Sequence, residues 1–171
     1  MLETKRMILR KPAPQDAEAY LKVCNSAFVL KYNAMTPKTY DSVRQEFENV
    51  QDENTFIMQH KESGAVIGAV FVQEDSLRWG VESRELSYFL DEAYSKKGYM
   101  KEALSAVITY LFETQQLTCV AARSFAPNTA SRKLLESLGF CQDGLIPSCV
   151  KGYGDIIYDD ALYSVFREKW K

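Results

Sequence analysis

Lys96, Lys97 and Lys101 surround Gly98 where an extended run, Glu85–Leu90, gives way to a helical pattern. A helix N-terminus presents unpaired N–H groups and partial positive charge, so it ordinarily favours Asp or Glu. Three cations at that point oppose the dipole unless an anion is to be received. With a glycine that permits close approach, they make a cradle for a phosphate-bearing ligand. The competing reading is a turn glycine beside a solvated lysine face, with Glu102 supplying a local carboxylate. The chain holds neither GxxxxGK[ST] nor GxGxxG, and the nearest echo, Gly152-Tyr153-Gly154-Asp155, lacks a third glycine and a following helix. An ATP or GTP site built on the lysines therefore has no supporting pattern elsewhere.

Metal and thiol chemistry find less support. Cys24, Cys119, Cys141 and Cys149 form no CxxC pair and His60 is the single histidine, so no zinc site is expected. Three of the four cysteines are expected as small core residues, and His60, just before a turn, as an exposed side chain. The net charge of -2 gives no global pull toward nucleic acid, so anion binding must be local. No run is apolar enough to span a bilayer and the opening MLETKRMILRK has no signal-peptide core, which predicts a cytoplasmic protein without a membrane partner. At 171 residues, 46% hydrophobic and 26% charged, the chain is expected to be one globular domain, 1–171.

The elements that must hold the lysine cradle follow from periodicity. Arg6 to Lys11 alternates as a strand. Pro14 to Asn25, Ala27 to Tyr32 and a polar segment from Thr39 or Asp41 to about Val50 are helical. Asn54–Lys61 and Ala65–Gln73 form a hairpin around Gly64, and a charged loop leads to the strand Glu85–Leu90. After the helix that carries Met100, Leu104, Ile108 and Leu111 inward, Thr118–Phe125 reads as a buried strand beside 85–90. Asn128 starts a helix that Gly139 stops; Phe140–Val150 and Ile156–Arg167 close the chain as strands joined by 151–155. This is an α/β fold: a mixed central sheet of about six to seven strands with helices on both faces.

That order, and the motifs on it, resemble the GNAT superfamily of acetyl-CoA-dependent N-acetyltransferases, and within it the ribosomal-protein-type (RimJ/RimL-like) branch. The resemblance runs nearly end to end. Leu2–Arg10 is similar to the branch's opening strand, Val66-Ile67-Gly68 and Glu85–Asp91 to two central strands, and Gly98–Leu104 to its pyrophosphate loop and helix. Asn128–Ser131 through Leu138-Gly139-Phe140 resembles the second cofactor motif, and Asp159 to Trp170 the closing strand. Two departures stand out in the phosphate loop: Ser95 where Gln or Arg is usual and Met100 where Gly or Ala is usual. Met100 is expected to crowd the pyrophosphate and weaken or reposition the cofactor.

The resemblance implies direct attack of an amine on the thioester of acetyl-CoA, with no metal. It implies backbone contacts from Phe89 and Leu90 to the thioester carbonyl and pantetheine, and phosphate binding by Lys96, Lys97, Gly98, Tyr99, Met100 and Lys101. Asn128 and Ser131 would touch the cofactor arm, although Asn128 is equally a helix N-cap with Ser131 completing the cap. Glu85 is the implied base, with Glu82 a second choice and a surface carboxylate the alternative; Glu85 and Ser87 share one strand face. The tyrosine that many relatives use as acid is replaced by Leu135, leaving Ser131 nearest the sulfur. The implied acceptor is a protein N-terminal amine or a small primary amine, in a groove carrying Tyr32, Tyr40, Lys151, Tyr153 and Asp155. The rival reading is a CoA-binding sensor or interaction module without turnover. The closing segment Ile156–Trp170 is a candidate for strand pairing between two copies, that is, a homodimer.

Overall fold

A computed structural model describes residues 1–34, 36–49 and 54–170. The chain runs β1 (Leu2–Glu3), β2 (Met7–Arg10), α1 (Ala17–Cys24), α2 (Ala27–Leu30), α3 (Tyr40–Asn49), β3 (Thr55–His60), β4 (Val66–Glu74) and β5 (Ser83–Leu90). It continues α4 (Tyr99–Glu113), β6 (Cys119–Phe125), α5 (Thr129–Ser137), β7 (Cys141–Lys151) and β8 (Ile157–Phe166). All eight strands form one sheet in the order β1-β2-β3-β4-β5-β6-β8-β7. The extra strand over the expected count is β1, two residues long and too short to show alternation. The expected helix end at Val50 lies outside the described residues; α3 runs to Asn49.

Each strand is coloured by what covers it. One face packs α4 and α5 through Met100, Leu104, Ile108, Leu111 and Leu135 onto Ile67, Leu86, Val120 and Tyr163. The other packs α1 and α3 through Tyr20, Val23 and Phe47 onto Ile57, Ala69 and Phe89. Trp170 closes the tail against α4, donating from Nε1 to Thr109 Oγ1 at 3.0 Å.

Every neighbouring pair is antiparallel except β5 and β6, which are parallel and joined through α4. Their pairing covers only Ser83↔Cys119 to Leu86↔Ala122. Beyond it, each strand follows its other neighbour: β5 stays with β4 to Gly68↔Leu90, and β6 stays with β8 to Phe125↔Asp160. The two therefore diverge, opening a V in the middle of the sheet. The neighbouring β3–β4 ladder carries a bulge, since Met58 pairs with Gly68 but Gln59 with Val66, leaving Ile67 as the extra residue of β4. Gly68 is needed there, because a Cβ would sit 2.4 Å from the Phe89 carbonyl oxygen and 3.1 Å from Leu90 Cα.

Three expectations change. Two cysteines, Cys24 and Cys119, are buried rather than three; Cys141 and Cys149 lie on β7, the edge strand, whose residues are mostly exposed. His60 is half-buried, its Nε2 3.1 Å from Tyr99 Oη and its Nδ1 2.9 Å from Ser63 Oγ. The closing segment cannot offer a free edge to a second copy, because β8 is flanked by β6 and β7; on that side of the sheet the edge belongs to β7.

Candidate active site

The lysine cradle forms at the start of α4. Gly98 is the N-cap with φ +80°, the left-handed region that favours glycine, and the first helical hydrogen bond is Glu102 N–H to Gly98 O at 3.1 Å. The amides of Tyr99, Met100 and Lys101 precede that bond and stand at the positive end of the helix. Glu102 does not compete for the site. Its carboxylate accepts from Arg6 Nε at 2.7 Å and from the Arg6 backbone N–H at 2.8 Å. Arg6 also donates to Lys97 O at 2.9 Å and lies 4.0 Å over the Tyr99 ring, fixing the loop from behind.

Two cavities meet at the V. The first, about 430 Å³, runs from the α4 N-terminus to the splayed end of β5 and is lined by Lys31, Lys96, Lys101, Ser95 and Gly98, with no carboxylate among its lining residues. The second, about 660 Å³, lies on the α1–α3 side and reaches Glu85, Ser87, Arg123 and Asp160. Six residues belong to both: Tyr32, Asn33, Tyr88, Phe89, Asn128 and Ser131. They mark the passage between the cavities.

The electrostatics of the two sides differ. The first cavity carries cations only. In the second, Lys38 is held by Glu46 at 2.6 Å and Arg123 Nε by Asp160 Oδ2 at 2.6 Å, which leaves Glu85 as the lining carboxylate without a direct ion pair, Arg123 acting on it only at longer range. Burial pushes the Glu85 carboxyl above its ordinary value, Asp75 and Asp160 add to the rise, and Arg123 opposes it. A half-buried carboxylate with a raised pKa is a better proton acceptor than a surface one. Aromatic walls complete this side, with Tyr20 5.4 Å from Phe89 and Phe71 5.9 Å from Phe89.

Backbone polarity at the V follows from one ladder bond. Asp91 N–H reaches Ile67 O at 2.7 Å, so the amides of residues 89 and 91 face β4. Alternation turns those of Tyr88 and Leu90 the other way, toward the edge that β6 has left. The Leu90 amide thus faces the cleft, whereas the Phe89 amide serves the sheet and its ring lines both cavities. Asn128 caps α5, its side chain accepting from Ser131 N–H at 3.2 Å. The Ser131 hydroxyl is not used in that cap; it is 2.8 Å from Tyr88 Oη.

Most expected site residues are brought together. Glu85 and Ser131 line the second cavity, and Leu90, Lys96, Gly98, Tyr99, Met100, Lys101 and Ser131 the first. Lys97 is not among the lining residues, and its Nζ donates to Ala93 O at 2.7 Å. Lys31, from α2's end, provides the third cation instead. Met100 is 7% exposed and part of the core under α4, so its side chain packs inward rather than across the phosphate approach. Leu135 is a core residue. Of the expected acceptor residues only Tyr32 lines the cavity; Lys151 and Asp155 form an exposed ion pair of their own at 2.6 Å. Sequence reasoning missed Tyr88, Arg123 and Asp160. An arginine two residues from the end of β6 and an aspartate three residues into the adjacent β8 gave a detectable signal, but only once strand order was known.

The family model for the acetyltransferase (GNAT) domain matches residues 6–141. The chain belongs to the GNAT acetyltransferase family. Bacillus subtilis YoaA, an uncharacterized N-acetyltransferase, is 26% identical over 190 aligned residues, with 99% of this chain and 98% of that protein covered. Among solved structures, a GNAT-family acetyltransferase from Bacillus anthracis superposes with a TM-score of 0.86 at 22% identity, covering 98% of each chain. The ribosomal-protein-S5-alanine acetyltransferase of Vibrio fischeri gives a TM-score of 0.84 at 23% identity, covering 99% of this chain and 97% of that one. At these identities the structures speak for the fold. The GNAT family uses acetyl-CoA as its acyl donor, and no group of residues able to hold a metal occurs among the described residues. No helix among them is long and apolar enough to cross a membrane.

Proposed function

We propose that the protein transfers the acetyl group of acetyl-CoA to a primary amine, either a protein N-terminal amine or a small molecule. The observation that carries this is the meeting of two oppositely charged cavities at the one place where β5 and β6 part. The cationic cavity suits the pyrophosphate, held by the amides of Tyr99, Met100 and Lys101 with Lys31, Lys96 and Lys101 around them. Pantetheine then runs along the splayed edge of β5, its thioester at the passage. A cleft-facing amide, Tyr88 or Leu90, would stabilise the oxygen as the amine attacks.

Acceptor chemistry follows from the second cavity. Its pairs Lys38–Glu46 and Arg123–Asp160 are internally neutral, so a single carboxylate, Glu85, faces the incoming ammonium. One carboxylate without a direct ion pair and aromatic walls suit a monocation with an apolar or aromatic body better than a polyamine. Glu85 takes the proton directly or through water, and the amine becomes the nucleophile. The ribosomal-protein-type branch fits this reading, since a peptide N-terminus meets the same description; a cytoplasmic location is proposed with it. The 660 Å³ acceptor space speaks against a binding module without turnover, which needs none.

The test is CoA release with a panel of N-terminal peptides, arylalkylamines, amino acids and polyamines. Turnover is expected with monocationic amines. A protein that binds CoA but turns over none of the panel would be the sensor instead.

A further inference from the structure

With Leu135 buried in the core, nothing at the family's usual tyrosine position can meet the departing sulfur. Three hydroxyl-bearing residues line both cavities; Tyr88 Oη and Ser131 Oγ stand 2.8 Å apart, while Tyr32 packs its ring against Tyr158. The backbone N–H of Ser131 is held by Asn128 Oδ1, so the cap fixes where the serine stands without consuming its hydroxyl. A phenol is a stronger donor than an aliphatic alcohol. In a pair of this kind it gives its hydrogen to the serine oxygen and leaves the serine hydrogen to point elsewhere.

Resting on the acetyl-transfer reading above, we propose that Tyr88 is a positioning residue: it donates to Ser131 Oγ and so turns the Ser131 O–H onto the CoA sulfur as the thioester breaks. The amine nitrogen forms its bond to the carbonyl carbon, the C–S bond breaks, and its electron pair stays on sulfur. One proton leaves the ammonium for Glu85 or water before the attack, and a second leaves the same nitrogen for water as the C–S bond breaks. Tyr88 and Ser131 keep their protons, and the thiolate accepts a hydrogen bond that the phenol has polarised. Burial pushes the Tyr88 hydroxyl up to about 12, the bond to Ser131 pulling the other way, so it stays a neutral donor at ordinary pH.

The experiment titrates the thiol of bound CoA by the ultraviolet absorbance of its thiolate, with desulfo-CoA as the binding control. In the wild-type protein the bound thiol is expected to be more acidic than free CoA. Tyr88→Phe and Ser131→Ala should each weaken that acidity about tenfold while binding desulfo-CoA as the wild type does. Ser131→Thr, which keeps the hydroxyl, should retain it. In turnover, Tyr88→Phe should lower kcat about tenfold with little change in the acetyl-CoA KM, and add nothing to Ser131→Ala. A bound thiol as acidic in Tyr88→Phe as in wild type, or losses that add in full, would overturn the proposal. Failure of the wild-type protein to bind desulfo-CoA would remove the acetyl-transfer reading itself; binding without any change in thiol acidity would remove only the role of Tyr88.

Discussion

Glu85 shows how position decides what a common residue does. The same carboxylate on a surface strand would be ionised and idle. Here burial raises its pKa, with Asp75 and Asp160 adding and Arg123 opposing. A carboxyl whose folded pKa lies above its unfolded value contributes stability at low pH that is lost as pH rises through the folded value. Glu85→Gln is therefore expected to raise the melting temperature at pH 7 and to leave it unchanged near pH 3. The same variant should lower kcat/KM about 100-fold and abolish the acidic limb of the pH profile, which in wild type lies above the ordinary carboxylate range. Intact turnover at pH 7 would make a water chain the base. The glutamate could be singled out from the sequence because the chain resembles a family that often places its base on this strand. Tyr88 was not, since alternation assigns it to the core with Leu86, and only the end of the β5–β6 pairing converts that face into a passage.

At the scale of elements, the site depends on how two strands part and how one helix starts. Gly68→Ala would drive a methyl into the Phe89 carbonyl at 2.4 Å, so β5 must shift where it lines the cleft. Overpacking of this kind costs about 1–3 kcal/mol, and the melt should show that loss together with a fall in kcat. An unchanged melting temperature would mean that β4 yields instead. At the helix start, Lys96→Ala should raise the acetyl-CoA KM about fivefold and flatten its salt dependence, whereas Lys97→Ala, whose amine is turned to Ala93, should leave both alone. The lysine cluster could be read from sequence; which of its members face the ligand could not, because Lys96 takes a positive φ that no periodicity reveals. Met100 illustrates the same limit. Its place in the motif suggested obstruction, while its helical phase with Leu104 and Ile108 put the side chain in the core.

For the whole molecule, the sheet sorts charge. On the proposed function, donor and acceptor would approach from opposite faces, one lined by lysines and the other by Glu85 beside two internally neutral ion pairs, so that each substrate would be steered to its own side. Element order was largely legible, because β5, α4, β6 and α5 carry strong, distinct periodicities. The acceptor wall was harder: of its expected members only Tyr32 lines the cavity, since Arg123 and Asp160 meet across β6 and β8, far apart in sequence. The measurement that bears most directly on the whole account is a thermal melt with acetyl-CoA, CoA and ATP titrated separately. Ligand at about 100 times its Kd adds about 2.7 kcal/mol to the native state, a rise of roughly 5–11 °C for a chain of this size. That rise is predicted with acetyl-CoA and CoA and not with ATP. No rise with acetyl-CoA, or an equal one with ATP, would contradict it.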